Sequence, residues 1–222
     1  MSRSIVVTVF TTVMLACTPN LSGAVMKAYP LHLAAGNDDV AAIRQLLSDG
    51  AEKEARDSSG ATALLVATRA NQVRAAQTLI EAGADVNAKD NISDSAYLYA
   101  GARGHQEILK LALAHGADLK STNRYGGTAL IPAAERGHVQ TVRTLIDAGV
   151  NVDHVNNLGW TALLEAIILG SGGEQHQQIV DALLTAGADP NLADREGVTP
   201  LAHARSKGYR EIENRLRAAG AQ

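Results

Sequence analysis

Residues 62–87 read TALLVATRANQVRAAQTLIEAGADVN, and this stretch decides the fold. Thr62 precedes a run rich in Ala and Leu, where its hydroxyl can accept a hydrogen bond from an amide of the first helical turn. Gly83 follows a second aliphatic run, where a left-handed helix end favours a residue without a Cβ atom. The stretch therefore predicts two short helices, with a turn between them and a glycine cap behind them.

The same pattern recurs along the chain. Segments similar to TALLVA begin at residues 29, 62, 95, 128, 161 and 199. Glycines follow at the same intervals, at residues 50, 83, 116, 149, 187 and 220. Both series have a spacing of 33 residues, apart from one interval of 38 that places extra residues within 169–178. Because two independent markers share the period and the insertion, the sequence predicts six copies of one structural unit.

The composition indicates a folded chain whose core consists of small and branched aliphatic side chains. Of the 222 residues, 46% are hydrophobic and only 3% are aromatic, which excludes a disordered polymer and a core of large rings. The chain carries 20 basic and 23 acidic residues, for a net charge of −3. Because binding of nucleic acid requires clustered Lys and Arg, this balance argues against DNA or RNA as a partner.

The period and the motif together resemble the ankyrin repeat, whose units are about 33 residues long and carry a T-P-L-H-x-A motif. The resemblance covers about residues 28–222. It implies an all-α solenoid of stacked helix-turn-helix units with β-hairpin fingertip loops, formed by residues 25–222 with six repeats. A single unit of this kind cannot bury its own apolar face, so neighbouring units supply the core.

Three features depart from the ankyrin pattern. The histidine of the motif is present in register only at His32. Ser93 stands where the other fingertips have glycine, so we expect a different turn there. The insertion within 169–178 is rich in Gly and Gln. We favour a tolerated loop, because added loop length costs little free energy, over an extra contact element.

Residues 1–24 have the features of a signal peptide. The uncharged apolar run from Ile5 to Cys17 has 13 residues, too few to span a bilayer but typical of a secretory signal. Small residues at Ser22 and Ala24 favour cleavage after Ala24, so we expect an exported, periplasmic protein without a membrane span. The alternative is a bacterial lipoprotein signal, with Cys17 lipidated and retained in the envelope. A helix packed on the body is a less favoured third interpretation.

The sequence contains no motif for catalysis or metal binding. It lacks the G-x-S-x-G, G-x-x-x-x-G-K-[ST] and H-E-x-x-H patterns, and no two of its seven His residues are four positions apart. His105 and His138 occupy equivalent turns of successive units, which indicates a repeated structural role. We therefore expect no enzymatic activity, no cofactor and no metal. A hydrolase or metalloprotein is the less favoured alternative.

The resemblance implies a protein partner, bound on the concave side that fingertips and first helices form. Tyr, Trp and Arg are frequent energetic anchors of interfaces, and apolar residues are unexpected on solvated turns. The residues expected to bind the partner are Ile92, Arg103, Arg124, Tyr125, Arg136, Leu158, Trp160 and Arg195. Alternatively, Tyr125 and Trp160 cover neighbouring fingertips. We expect a monomeric interaction module of the cell envelope, or alternatively an effector or immunity-type protein that acts on a foreign partner.

Overall fold

The computed structural model describes residues 29–222. The expected signal peptide at 1–24, with Cys17 and the cleavage position after Ala24, lies outside the described residues. Within the described part, no helix combines the length and the apolar character that crossing a membrane requires.

Each of the six repeats consists of two short α-helices. The first helices of the repeats, here called inner helices, are α1 (Pro30–Gly36), α3 (Ala63–Arg69), α5 (Ala96–Arg103), α7 (Leu130–Glu135), α9 (Ala162–Ile168) and α11 (Pro200–Ser206). The second helices, here called outer helices, are α2 (Val40–Ser48), α4 (Val73–Glu81), α6 (Gln106–Ala114), α8 (Val139–Asp147), α10 (Glu174–Thr185) and α12 (Arg210–Ala218). The all-α solenoid is thus confirmed, and each inner helix begins one or two residues after the start of its repeat in the sequence.

Hydroxyl side chains begin four of the inner helices, as the sequence predicted. Hydrogen bonds of 3.2–3.3 Å run from the amide three residues later to the hydroxyls of Thr62, Ser95, Thr161 and Thr199. The prediction is wrong for Thr128, whose buried hydroxyl has no hydrogen-bond partner among the described residues. Pro132 explains the difference, because it has no amide to donate to the Thr128 carbonyl. Helix α7 consequently begins one position later in its repeat than the other inner helices.

The core forms where successive repeats stack. Each inner helix packs against the inner helices of its neighbours, and the outer helices form a second row with the same order. Leu64 and Leu163 in the inner row, and Leu79 and Leu145 in the outer row, are almost fully buried. Burial of each such side chain contributes about 2 kcal/mol. Stability therefore depends on contacts that no repeat makes alone.

One column of polar side chains joins the start of each outer helix after the first to the preceding repeat. Bonds of 2.9–3.2 Å link Gln72 to the Gly36 carbonyl, His105 to Thr68, His176 to Glu135 and Tyr209 to Gly170. The fifth member, His138, has its ring beside Gly104, where an added Cβ atom would lie 2.9 Å away. Both His105 and His138 therefore have the structural role that the sequence indicated.

The fingertips are tight turns closed by backbone hydrogen bonds. Amide-to-carbonyl bonds of 2.9–3.1 Å join residues 57 to 61, 90 to 94, 123 to 127, 156 to 160 and 194 to 198. Adjacent fingertips are also joined, from Asn91 N to Ser59 O at 3.1 Å and from Asn157 N to Tyr125 O at 2.9 Å. No residue within 29–222 belongs to a β-strand, so the expected β-hairpins are reduced to hydrogen-bonded turns.

The fingertip with Ser93 keeps the turn of the others, contrary to the expectation from the sequence. Ser93 has φ of 65°, close to the 73° of Gly126 at the equivalent position. The Asp90 carboxylate holds this turn, because its Oδ1 accepts hydrogen bonds from the amides of Ile92 and Asp94. These bonds offset a left-handed conformation that costs a non-glycine residue about 1 kcal/mol.

The insertion in the fifth repeat contacts both neighbouring repeats. It extends α10 to 12 residues, against nine for the other outer helices, and leaves a loop at 170–173. The Tyr209 hydroxyl of the sixth repeat donates to the Gly170 carbonyl at 2.9 Å. On the other side, His176 reaches the Glu135 carbonyl of the fourth repeat at 2.9 Å. Both bonds continue the column that joins the other repeats, and the tolerated loop stays a prediction.

The last outer helix closes the stack. Ile212 and Leu216 are its buried residues, and the rest of its surface is polar. The helix thus presents its polar face to solvent at the end of the stack.

Candidate protein-binding surface

The fingertips and the inner helices surround a depression in the middle of the solenoid. It has a volume of about 370 Å³ and extends over the third, fourth and fifth repeats. We call it the central concavity. Its lining includes Asp94, Tyr99, Arg103, Arg124, Tyr125, Glu135, Arg136, Asn156, Leu158, Glu165 and Leu169. The side chains thus come from three fingertips and from α5, α7 and α9.

Five of the eight residues predicted to bind a partner line the central concavity: Arg103, Arg124, Tyr125, Arg136 and Leu158. Repeat stacking brings them together although they span more than 50 positions of the sequence. Tyr125 and Leu158 are about half exposed, at 53% and 49%, which does not favour the alternative that Tyr125 covers a neighbouring fingertip. Leu169, 51% exposed, adds a third apolar side chain.

The other three predicted residues lie outside this lining. Ile92 is exposed on the neighbouring fingertip. Trp160 is partly buried, at the end of the fingertip turn that begins at Asn156. Arg195 covers the preceding fingertip, since a Cβ atom added to Gly159 would lie 2.4 Å from the Arg195 Cγ atom.

Two arginines of the central concavity are held against aromatic rings. The Arg124 guanidinium lies 4.8 Å from the centre of the Tyr125 ring, and that of Arg103 lies 5.5 Å from the centre of the Tyr99 ring. Neither arginine forms an ion pair within residues 29–222, whereas Arg69 nearby pairs with Asp90. Cation–π contacts orient such side chains without neutralising their charge. Arg103 and Arg124 therefore present free guanidinium groups to a ligand.

Arg136 is more constrained than these two. Its Nη1 donates to the Ala102 carbonyl at 2.8 Å, and its Nη2 lies 3.8 Å from a carboxylate oxygen of Glu135. It therefore braces α7 against α5 and is partly neutralised.

A buried carboxyl group, Glu165, forms part of the floor. Its side chain is only 6% exposed, and its Oε1 accepts a 2.8 Å hydrogen bond from Asn156 Nδ2. Asn156 also closes its fingertip, because its Oδ1 accepts from the amides of Leu158 and Trp160. Burial and the neighbouring negative charge of Glu135 raise the pKa of Glu165 to about 7, although Asn156 and Arg136 favour the ionised form.

Comparison with known proteins identifies the repeat family. A family model for ankyrin repeats in three copies matches residues 10–90 and 97–194. The chain belongs to the ankyrin repeat family. Ankyrin repeat domains are in general protein–protein interaction modules, and the ankyrin fold is a non-enzymatic interaction fold.

Solved ankyrin structures share this fold along most of the chain. An ankyrin repeat domain from Acinetobacter baumannii AYE is 71% identical, with a TM-score of 0.86, over 87% of this chain and 99% of that one. The ankyrin repeat protein EF0377 is 42% identical, with a TM-score of 0.82, over 85% and 96% of the two chains. A curated relative named as an ankyrin repeat protein, YahD of Escherichia coli K12, is 53% identical over 57 residues. That match spans 26% of this chain and 28% of the relative.

Glu165 is the functional candidate that the ankyrin motif alone did not reveal. In the motif it follows Thr161 by four positions, where other repeats have Val66, Tyr99 and Pro132. The signal in the sequence was an acidic residue within a run of aliphatic residues that is expected to be buried. In the sixth repeat the equivalent residue is His203, whose Nε2 lies 2.7 Å from Asp194 Oδ2. A polar residue at this position thus pairs with the residue that opens its own fingertip.

The ionisable residues that the structure describes form no cluster of metal ligands. Within 29–222, no group of three or more His, Cys, Asp or Glu is arranged to hold a metal ion. His32 is in the motif position and reaches the Ala61 carbonyl at 2.9 Å. The arrangement of the central concavity suits binding of a ligand with mixed polar and apolar character.

Proposed function

We propose that this ankyrin protein is a non-enzymatic binding module that holds a partner protein in its central concavity. The observation that carries the proposal is the convergence of Tyr125, Leu158 and Leu169, all about half exposed, with the free guanidinium groups of Arg103 and Arg124. Exposed apolar side chains beside aromatic and arginine anchors are characteristic of protein-binding sites.

The proposal includes a cellular location and an assembly state. The apolar segment at 5–17 and the small residues before position 25 support export to the periplasm, with lipidation at Cys17 as the alternative. We propose that the exported chain is a monomer that performs no chemistry on its partner.

The test is to isolate the chain with its bound proteins from the native cell envelope. A Tyr125→Ala, Leu158→Ala double variant removes two candidate anchors, and a Gln140→Ala, Arg143→Ala double variant on the outer helix α8 is the control. Each anchor is expected to contribute about 2 kcal/mol to binding, so the first variant should lose its partner and the control should keep it. Recovered proteins are quantified by mass spectrometry.

Equal recovery of the same partner by wild type and by both variants would show that the central concavity is not the binding site. The intact mass of the isolated chain tests the location in the same experiment. Cleavage after Ala24 leaves Val25 as the first residue, whereas a lipoprotein begins with an acylated Cys17.

A further inference from the structure

The arginines of the central concavity differ in whether their charges are paired within the protein. The chain as a whole has a net charge of −3. Around Asp94, however, three guanidinium groups, those of Arg69, Arg103 and Arg124, act on only two carboxylates, Asp90 and Asp94. One positive charge is therefore in excess beside Asp94, whereas the whole lining of the concavity contains three arginines and three acids.

The unpaired positive charge lies on Arg103 and Arg124, whose side chains face solvent. Arg69 is bound to Asp90, whose side chain is almost fully buried, and lies 3.9 Å from Asp94. The charge of Arg69 is thus paired with acidic residues of the protein itself. Arg103 and Arg124 are exposed and form no ion pair within the described residues, while Tyr99 and Tyr125 orient them. An arginine oriented before binding loses less conformational entropy when a carboxylate binds.

Exposed apolar side chains line the same depression. Leu158 and Leu169 expose about half of their surfaces. Tyr125 follows Arg124 on the fingertip that precedes the fingertip of Leu158, and it lines the depression as well. The lining includes no lysine. A ligand that satisfies both the arginines and the apolar side chains needs an anionic group close to an apolar one.

We propose that the central concavity recognises an acidic side chain of the partner protein, bound by Arg103 and Arg124, together with a neighbouring apolar side chain that packs on Leu158 and Leu169. This inference rests on the proposed function and specifies the chemistry of the partner. The occupant is an internal segment of a protein, in which Asp or Glu lies one or two residues from Leu, Ile, Met or Phe.

The experiment uses a displayed library of random 12-residue peptides, inserted between fixed flanking sequences so that no free C-terminal carboxylate is present. The library is selected on the full chain purified from cells. Enriched peptides are expected to carry an acid beside an apolar residue. Replacing that acid by its amide should weaken binding about 10-fold to 100-fold, since hydrogen bonds between charged groups are strong.

An Arg103→Gln, Arg124→Gln variant should lose the same peptides by a similar factor, and rising salt should weaken binding of the wild type. The matched control is an Arg143→Gln, Arg210→Gln variant, which removes two exposed arginines from outer helices and should bind as the wild type does. Because all four arginines are exposed, thermal unfolding should remain close to that of the wild type in both variants.

Two results would overturn the inference, and they differ in what they say about the proposed function. If enriched peptides bind less tightly to Tyr125→Ala, Leu158→Ala but tolerate replacement of every acid by its amide, the acidic specificity is wrong and the binding site stands. If no enriched peptide depends on Tyr125 and Leu158, both proposals are wrong.

Discussion

Glu165 is a carboxyl group in an environment that disfavours its charged form. A carboxyl group that is 6% exposed loses most of its hydration, and the single hydrogen bond from Asn156 compensates only in part. Its raised pKa places the change of charge near neutral pH. The folded protein therefore binds a proton that the unfolded chain releases.

The consequence for stability has a definite sign. Because the pKa of Glu165 is about 7 in the folded state and 4.5 without the fold, its protonated form stabilises the protein fully below pH 4.5. This stabilisation declines as the pH rises and is lost above pH 7. The difference corresponds to about 3 kcal/mol in the free energy of unfolding. We expect Glu165→Gln to remove this decline between pH 5 and pH 8, because a glutamine oxygen can still accept the hydrogen bond from Asn156.

Urea unfolding at several pH values measures this effect. The matched control is Glu211→Gln, which alters an exposed acid on the last outer helix and should leave the pH dependence unchanged. Parallel pH profiles for the wild type and Glu165→Gln would contradict the assignment. Glu135→Gln is a second check, since removal of the neighbouring charge should reduce the decline in part.

At the scale of elements, backbone chemistry at single positions determines where helices begin and loops close. Pro132 delays the start of α7 because the missing amide leaves the Thr128 carbonyl without its usual partner. In the loop at 170–173, the important position is Gly172, whose backbone is left-handed with φ of 70° and lies against the Tyr209 ring. A Cβ atom added there would be 2.5 Å from that ring.

We expect Gly172→Ala to destabilise the protein by about 2 kcal/mol, through a left-handed conformation and a clash with Tyr209. Gly208→Ala is the matched control, because Gly208 is likewise left-handed, with φ of 72°, but no atom lies within 4 Å of an added Cβ. It should cost only the conformational part, about 1 kcal/mol. Chemical denaturation measures both. Equal losses in the two variants would show that the contact of the insertion loop with the sixth repeat contributes nothing to stability.

At the scale of the whole molecule, each repeat derives its stability from its neighbours. A central repeat has two such neighbours and a terminal repeat has one. Leu145 in α8 and Ile212 in α12 are both fully buried. The same kind of substitution should therefore have different consequences at the two places.

We expect Leu145→Ala to lower the free energy of unfolding of the whole chain by about 3 kcal/mol. Ile212→Ala should instead open the sixth repeat locally, while the first four repeats keep their protection. Hydrogen exchange resolved by peptide measures both outcomes. A uniform loss of protection along the chain in Ile212→Ala would contradict nearest-neighbour stacking.

The sequence alone determined the number of repeats, their register and most of their helix starts. Those features depend on residues close together in the chain, such as a hydroxyl cap, an aliphatic run and a glycine at a left-handed position. It also identified five of the residues that line the central concavity, because the ankyrin pattern specifies which positions face that side. Its expectation for Ser93 was wrong, since hydrogen bonds from two backbone amides to the Asp90 carboxylate hold that turn.

Only the tertiary structure decided which side chains share one environment. Arg103 ends α5, whereas Arg124 and Leu158 lie on two successive fingertips, and they meet because stacking places the fingertips beside the inner helices. Glu165 acquires its raised pKa only when Glu135 of the neighbouring repeat and the surrounding core have excluded water from it. Desolvation and charge interactions depend on distance in space, so a pattern of residues along the chain does not specify them.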